Sequence, residues 1–111
     1  MKIFYHPKFS QNVRRFSEEY LKVYPVLGEK FILELREALD EVKGGPQHAG
    51  HLLKTRTKTP IIFRRRNLHS FPFFVLYGST SDLLAFGALI PSRSDPLTWL
   101  TRFQNWPQPG H

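Results

Sequence analysis

The sequence predicts an α+β domain in which a helical hairpin packs on one face of a small antiparallel sheet. Three observations support this class: apolar residues recur at helical spacing in the first half, apolar runs of strand length fill the second half, and glycine and proline separate the segments. The expected order is β-α-α-β-β-β plus a short C-terminal helix. With 111 residues and no linker or repeat, residues 1–111 are expected to form a single domain.

The first half predicts a short strand and then a helix. Residues 1–5 read as the strand, with Ile3 and Tyr5 on one face. His6-Pro7 ends it, because proline suits the first turn of a helix. Apolar residues at spacings of four, three and four then predict the helix and its buried stripe, which consists of Phe9, Val13, Phe16 and Tyr20.

A second helix follows the turn at Tyr24-Pro25. It is expected to end at Gly44-Gly45-Pro46, where glycine and proline stop a helix. Its predicted apolar face comprises Leu27, Phe31, Leu35, Ala38, Leu39 and Val42. Two helices joined by so short a connection are expected to run antiparallel.

The second half predicts three strands, at residues 61–69, 72–77 and 83–90, after a basic connection at residues 50–60. Phe71-Pro72 separates the first two strands, and the sequence GSTSD at 78–82 predicts a hairpin loop before the third. Asp95-Pro96 begins the short final helix.

The last two predicted strands are apolar on both faces. Phe73, Val75 and Tyr77 alternate with Phe74 and Leu76, and residues 83–90 carry no polar side chain. A helical hairpin can cover only one face of the sheet, so something else must cover the other. The two candidates are the chain's own tail, with Trp99, Phe103 and Trp106, and a partner protein.

Positive charge is concentrated in the second half. The net charge is +7, and residues 1–43 hold eight basic and seven acidic residues, whereas residues 44–111 hold eight basic and two acidic ones. No acidic residue occurs between Glu41 and Asp82. This distribution favours a polyanionic or acidic partner for the second half.

Several classes of protein are not indicated. The chain has no cysteine, which excludes disulfides, thiolate metal sites and a cysteine nucleophile. His48 and His51 lack a third ligand at a telling spacing, and no phosphate-binding glycine loop occurs, so we expect no metal or other cofactor. The N-terminus has no signal-peptide pattern, and the longest apolar run, 83–90, is too short to span a bilayer, so we expect a cytoplasmic protein.

The chain resembles the RelE/ParE superfamily of bacterial toxins, and more closely its ParE and plasmid-stabilisation branch. An arginine-rich strand, a Phe-Pro pair, an aromatic strand and a terminal R-x-D-P-x-x-W carry the resemblance; the residues are Arg65, Arg66, Phe71, Pro72, Tyr77, Arg93, Asp95, Pro96 and Trp99. Many relatives carry a histidine just after the last core strand, where this chain reads Ile90-Pro91-Ser92-Arg93.

The resemblance implies the toxin of a type II toxin–antitoxin pair, which binds DNA gyrase and is neutralised by an antitoxin. Binding of this kind needs no catalysis, and nothing in the sequence demands an enzyme. Arg64 and Arg66 share one face of their strand and Arg65 lies on the other, so we expect them to form a charged rim. The expected target- or antitoxin-binding residues are Arg64, Arg65, Arg66, Arg93, Trp99 and Arg102.

Two alternatives remain open. The RelE-like branch cleaves mRNA on the ribosome, which needs cations for the phosphate and an acid and a base for the two oxygens. The residues that could serve are Lys54, Arg56, Lys58, Arg64, Arg66, His69, Tyr77 and Arg93, although packing is the simpler role for Tyr77. The other alternative is a basic binding domain that keeps the fold without toxicity.

Overall fold

The computed structural model describes residues 1–55, 59–104, 106 and 107. The strands are β1 (Lys2–Tyr5), β2 (His51–Leu52), β3 (Ile62–Asn67), β4 (Phe73–Ser79) and β5 (Leu83–Pro91). The helices are α1 (Pro7–Val23), α2 (Pro25–Gly44), α3 (Pro46–Ala49) and a C-terminal 3₁₀ helix (Pro96–Phe103). The predicted α+β class and the order of the long elements are confirmed.

The described strands form one sheet in the order β1-β5-β4-β3-β2. The predicted meander is β3, β4 and β5, which pair antiparallel, and β1 joins it parallel to β5. Neither α3 nor β2 was predicted. Helix α3 begins where the second helix was expected to end, and β2 lies in the segment that was expected to be a connection. Two residues are too few to show an alternating pattern, and His51 and Leu52 are extended because they pair with Arg65 and Arg64 of β3.

The helical hairpin covers one face of the sheet. Phe16 of α1 packs against Phe73 with ring centroids 4.7 Å apart, and Phe31 of α2 lies 5.6 Å from the same ring. The two helices approach closely at Gly28, where a Cβ would lie 2.5 Å from Leu21 Cδ2. Leu27, expected on the buried face, is instead 37% exposed, because it lies in the first turn of α2 at the open tip of the hairpin.

The C-terminal segment covers the second face of the sheet. Phe103 contacts Phe63 with ring centroids 4.8 Å apart, and Trp106 packs edge-on against Phe4 at 6.3 Å. The carboxylate of Asp95 caps the 3₁₀ helix by accepting a hydrogen bond from Leu97 N–H at 3.0 Å. Of the two covers that the sequence allowed for this face, the chain's own tail is therefore confirmed.

No helix within the described ranges is both long enough and apolar enough to cross a lipid bilayer.

Candidate functional site

Arg66 of β3 reaches back to helix α2 and pairs with Glu41. Its Nε and Nη2 donate hydrogen bonds to Glu41 Oε2 at 3.0 and 2.8 Å. The Arg66 side chain is 10% exposed and that of Glu41 is 58% exposed. A third guanidinium nitrogen, Nη1, donates to the carbonyl of Asn67. Arg66 was expected on a solvent-facing rim, but the helix hairpin lies over that face of the sheet and buries it.

His69 completes a small polar group beside this pair. Its Nε2 lies 3.4 Å from Arg66 Nη2. A guanidinium only donates hydrogen bonds, so Nε2 is the unprotonated ring nitrogen when this contact forms. The group opens into a cleft of about 390 Å³, which is lined by Glu41, Ala49, His51, Arg66, Asn67 and His69. The cleft therefore combines a held cation with a carboxylate and imidazoles, which is a combination able to bind an anion and accept a proton.

Arg64 and Arg65 lie on opposite faces of β3, as predicted. Arg64 is opposite Tyr77, on the face that the helical hairpin covers, and it is half-buried. Its Nη1 is out of contact with solvent and has no hydrogen-bond partner among the described residues. Such a donor is costly to leave unpaired. Arg64 therefore keeps one buried hydrogen-bond donor unpaired within the described residues.

Arg65 lies over an aromatic ring on the second face. Its Cζ is 3.9 Å from the ring centroid of Phe74, and its Nε donates to Asn67 Oδ1 at 3.0 Å. Burial lowers the pKa of the Arg65 guanidinium from its ordinary value. The guanidinium of Arg65 thus lies over the Phe74 ring on the second face of the sheet.

Arg102 and Trp99 are engaged within the fold. Arg102 Nη1 donates to Asn12 Oδ1 at 2.8 Å and to the carbonyl of Gly87 at 3.0 Å. Its Cζ lies 4.5 Å from the ring of Trp99, and burial lowers the pKa of its guanidinium. These contacts join the 3₁₀ helix to α1 and β5. Arg102 and Trp99 were both expected to bind a partner, and in this structure they hold the C-terminal segment in place.

Arg93 is exposed at the end of the sheet that carries the cleft. Ser92 N–H donates to the carbonyl of Pro72 at 2.9 Å, which brings the segment after β5 beside the bend between β3 and β4. His69 lies in that bend. We call this region, comprising Arg65, Arg66, His69 and Arg93, the basic end of the sheet. Lys54 is exposed but lines a different groove, beside the 3₁₀ helix. Arg56 and Lys58 lie outside the described residues.

Tyr77 is a packing residue in this structure. Its hydroxyl donates a hydrogen bond of 2.7 Å to the carbonyl of Pro46, which fixes the turn between α2 and α3. Burial raises the pKa of the Tyr77 hydroxyl to about 12, although Arg64 and Arg66 act in the opposite direction. Because its pKa is raised and its proton is donated to a backbone carbonyl, the Tyr77 hydroxyl is poorly suited to proton transfer at neutral pH.

Glu41, Asn67 and His51 line the cleft, and sequence reasoning assigned none of the three to the site. Glu41 looked like one of several polar positions on α2, and it is 25 residues from Arg66. One signal pointed to it indirectly: the second half of the chain has almost no carboxylates, so a buried arginine there needs one from the first half. Within the described ranges, no three acidic or histidine side chains converge well enough to hold a metal ion.

Comparison with known proteins gives one informative similarity. No family model matches the chain, and no curated protein matches it. Among solved structures, a chain of the chromosomal ParDE toxin–antitoxin (TA) system from P. aeruginosa is similar with a TM-score of 0.64 and 15% sequence identity. The similarity covers 82% of this chain and 95% of that chain. At this identity the comparison shows a shared fold and does not show a specific family.

Proposed function

We propose that this protein is the toxin of a bacterial toxin–antitoxin pair, that it binds DNA gyrase, and that an antitoxin neutralises it. The observation that carries the proposal is the fold similarity, which extends over 95% of a chain from the ParDE TA system. Two helices on a small sheet are a common arrangement, and fold alone does not dictate function. The charge and contacts of the basic end therefore supply the second part of the support.

The state of the candidate residues favours binding over catalysis. Arg66 is already neutralised by Glu41, and Tyr77 is bonded to Pro46. Two cations stay available to a binding surface: Arg93 is exposed, and Arg65 lies over the ring of Phe74. A protein target or an acidic antitoxin segment could contact these without any bond being made or broken.

Induction in a bacterial host, followed by a gyrase assay in vitro, tests the proposal. We expect growth arrest with a DNA-damage response while protein synthesis continues. We also expect the purified chain to inhibit plasmid supercoiling by DNA gyrase and to accumulate cleaved plasmid. Early loss of protein synthesis with intact plasmid supercoiling would contradict gyrase as the target. Absence of any growth effect would favour the non-toxic binding domain.

A second candidate function, cleavage of RNA, is favoured by the cleft at Glu41, Arg66 and His69. Arg66 could hold a phosphate, while Glu41 or His69 could accept the proton of a 2′-hydroxyl. Arg93, and Lys54 from the neighbouring groove, could add positive charge. In the arrangement observed, however, Glu41 and His69 Nε2 both accept hydrogen bonds from Arg66. Both of these acceptors are thus already engaged by Arg66, which places this function second.

The variant His69→Ala separates the two functions. If RNA is cleaved in this cleft, the variant should lose mRNA cleavage and growth arrest together. If the chain acts by binding, mapping of mRNA ends should show no new cuts with either the unaltered protein or the variant. His48→Ala is the matched control, because His48 is an exposed histidine that does not line the cleft.

A further inference from the structure

Trp106 packs the C-terminal segment against the start of helix α1. Its indole ring lies edge-on to the imidazole of His6, with ring centroids 4.8 Å apart. It also contacts Phe4 of β1 at 6.3 Å and Phe103 of the 3₁₀ helix at 6.0 Å, and so belongs to the apolar cluster on the second face of the sheet. Of these three ring partners, His6 is the one that can change its charge.

His6 is also the N-cap of α1, and this role requires a neutral ring. Its Nδ1 accepts a hydrogen bond from Lys8 N–H at 3.0 Å. An imidazole nitrogen accepts only when it carries no proton, so the proton of the neutral ring lies on Nε2. Protonation of Nδ1 would remove the acceptor and leave a backbone N–H of the first turn without its side-chain partner.

The charges that face His6 also favour the neutral ring. Lys8 lies on its own helix, Arg102 lies on the 3₁₀ helix, and the N-terminus of α1 itself carries a partial positive charge. Strand β5 meets His6 through the carbonyl of Phe86, which accepts a hydrogen bond from His6 N–H at 2.9 Å. In the part of the chain that the structure describes, His6 forms no ion pair with a carboxylate. An imidazolium at this position would therefore meet like charge from two elements.

Burial of the ring acts in the same direction. Desolvation is the largest cause that lowers the pKa of His6 below its ordinary value of 6.5, and Arg102 and Lys8 lower it further. A group that protonates more readily when exposed favours exposure as pH falls. Packing of His6 is therefore fully stabilising above pH 6.5 and loses this contribution as pH falls towards the lower pKa of the folded chain.

One interaction opposes this trend, since a cation can be attracted to the face of an indole ring. In the neutral form the His6 and Trp106 rings meet at an interplanar angle of 66°. Loss of the helix cap, the positive end of α1 and the charge of Arg102 all act against the protonated ring. We therefore expect protonation to weaken the contact with Trp106.

We propose that His6 is a pH-sensitive latch for the C-terminal segment: the neutral imidazole caps α1 and holds Trp106, and the protonated imidazolium releases it. Release would separate Trp106 from Phe4 and expose part of the apolar second face of the sheet. The hydrogen bonds from Arg102 to Asn12 and Gly87 involve no group that titrates between about pH 5 and pH 7. They keep the 3₁₀ helix in place, so the opening is confined to Trp106. The latch does not depend on the proposed toxin function.

Proton NMR of the unaltered chain from about pH 7.5 to about pH 4.5 tests the latch. We expect the His6 ring to titrate with a midpoint below 6.5. The nuclear Overhauser effect between the rings of Phe4 and Trp106 should fall by about threefold or more with the same midpoint. An Overhauser effect that stays constant while His6 titrates, or a His6 midpoint above 6.5, would overturn the proposal.

The variant His6→Asn separates the charge of His6 from its capping role. Asparagine is a good N-cap and does not titrate, so the effect between Phe4 and Trp106 should be the same at both ends of the pH range. His48→Asn is the matched control: His48 is an exposed histidine outside these contacts, and this variant should keep the transition of the unaltered chain. A transition that persists in His6→Asn would contradict the latch. If His6→Asn does not fold, the measurement on the unaltered chain still decides.

Discussion

Gly87 lies directly against the ring of Phe103, so closely that a Cβ at this position would be 2.4 Å from Cζ and 2.5 Å from Cε2. The contact occurs at an irregularity of the sheet: Leu76 pairs with Ala88 and Tyr77 with Phe86, which leaves Gly87 without a partner on β4. The carbonyl of Gly87 accepts the hydrogen bond from Arg102. The bulged residue Gly87 thus contacts both the Phe103 ring and the Arg102 guanidinium of the C-terminal segment.

Gly87→Ala should therefore destabilise the protein. The added methyl group must displace Phe103 from the second face, which we expect to lower the free energy of unfolding by about 1–3 kcal/mol. Urea unfolding followed by circular dichroism measures the change. Gly44→Ala is the matched control: a Cβ there meets nothing within 4 Å, and alanine favours the end of α2. Equal stability of the two variants would show that Phe103 moves aside freely.

Removal of Glu41 should leave the buried guanidinium of Arg66 without its anionic partner. We expect Glu41→Ala to lower the free energy of unfolding by about 1–2 kcal/mol, because Glu41 is itself partly exposed and water can replace some of the interaction. The control is Glu19→Ala, which removes an acidic partner on α1 whose contact with Arg15 is solvent-exposed. That change should cost less than about 0.5 kcal/mol. If Glu41→Ala lowers the free energy of unfolding as little as Glu19→Ala does, the Glu41–Arg66 pair contributes little to stability.

The fold was predictable where one local pattern determined the structure. Phe9 and Phe16 recur at helical spacing, and Phe73, Val75 and Tyr77 alternate along a strand, so each pattern identified both an element and its buried face. The two-residue strand β2 was not predictable, because its pairing with β3 depends on the tertiary fold.

The candidate site was predictable only in part. The sequence placed Arg66 and His69 near each other in a basic segment. It could not show that Glu41, 25 residues earlier in the chain, neutralises Arg66. A side-chain pair between two separate elements produces no repeating pattern in the sequence. Because Arg66 is paired in this way, a double change of Arg64→Glu with Arg66→Glu would not be a clean test of binding. It would place a new carboxylate beside Glu41 in a buried position and would disturb folding.

Burial of the Tyr77 hydroxyl should make stability depend on pH in the alkaline range. The pKa of this hydroxyl is raised to about 12 in the folded chain, whereas it is about 10 when unfolded. The unfolded chain therefore loses this proton first, and stability falls as pH rises from about 10 to about 12, by up to about 1.4 kcal/mol per pH unit. Below pH 10 this group has no effect on the pH dependence.

Comparison with Tyr77→Phe isolates that contribution, because other groups titrate equally in both proteins. At neutral pH the variant should be less stable by about 1–2 kcal/mol through loss of the hydroxyl's buried hydrogen bond. This difference should shrink above pH 10, as measured by urea unfolding at stepped pH. A difference that stays constant up to pH 12 would show that the hydroxyl is not held protonated by the fold.

Arg93→Glu is the cleanest test of whether the basic end contacts the target. Arg93 is exposed and forms no ion pair within the described ranges, so the change should alter the free energy of unfolding by less than about 0.5 kcal/mol. If the target or antitoxin contacts this end, the variant should lose growth arrest and antitoxin affinity by about tenfold or more. Lys30→Glu is the control, because it makes the same change of charge at an exposed position on α2. Equal loss in both variants would attribute the effect to net charge, and no loss in either would remove Arg93 from the contact surface.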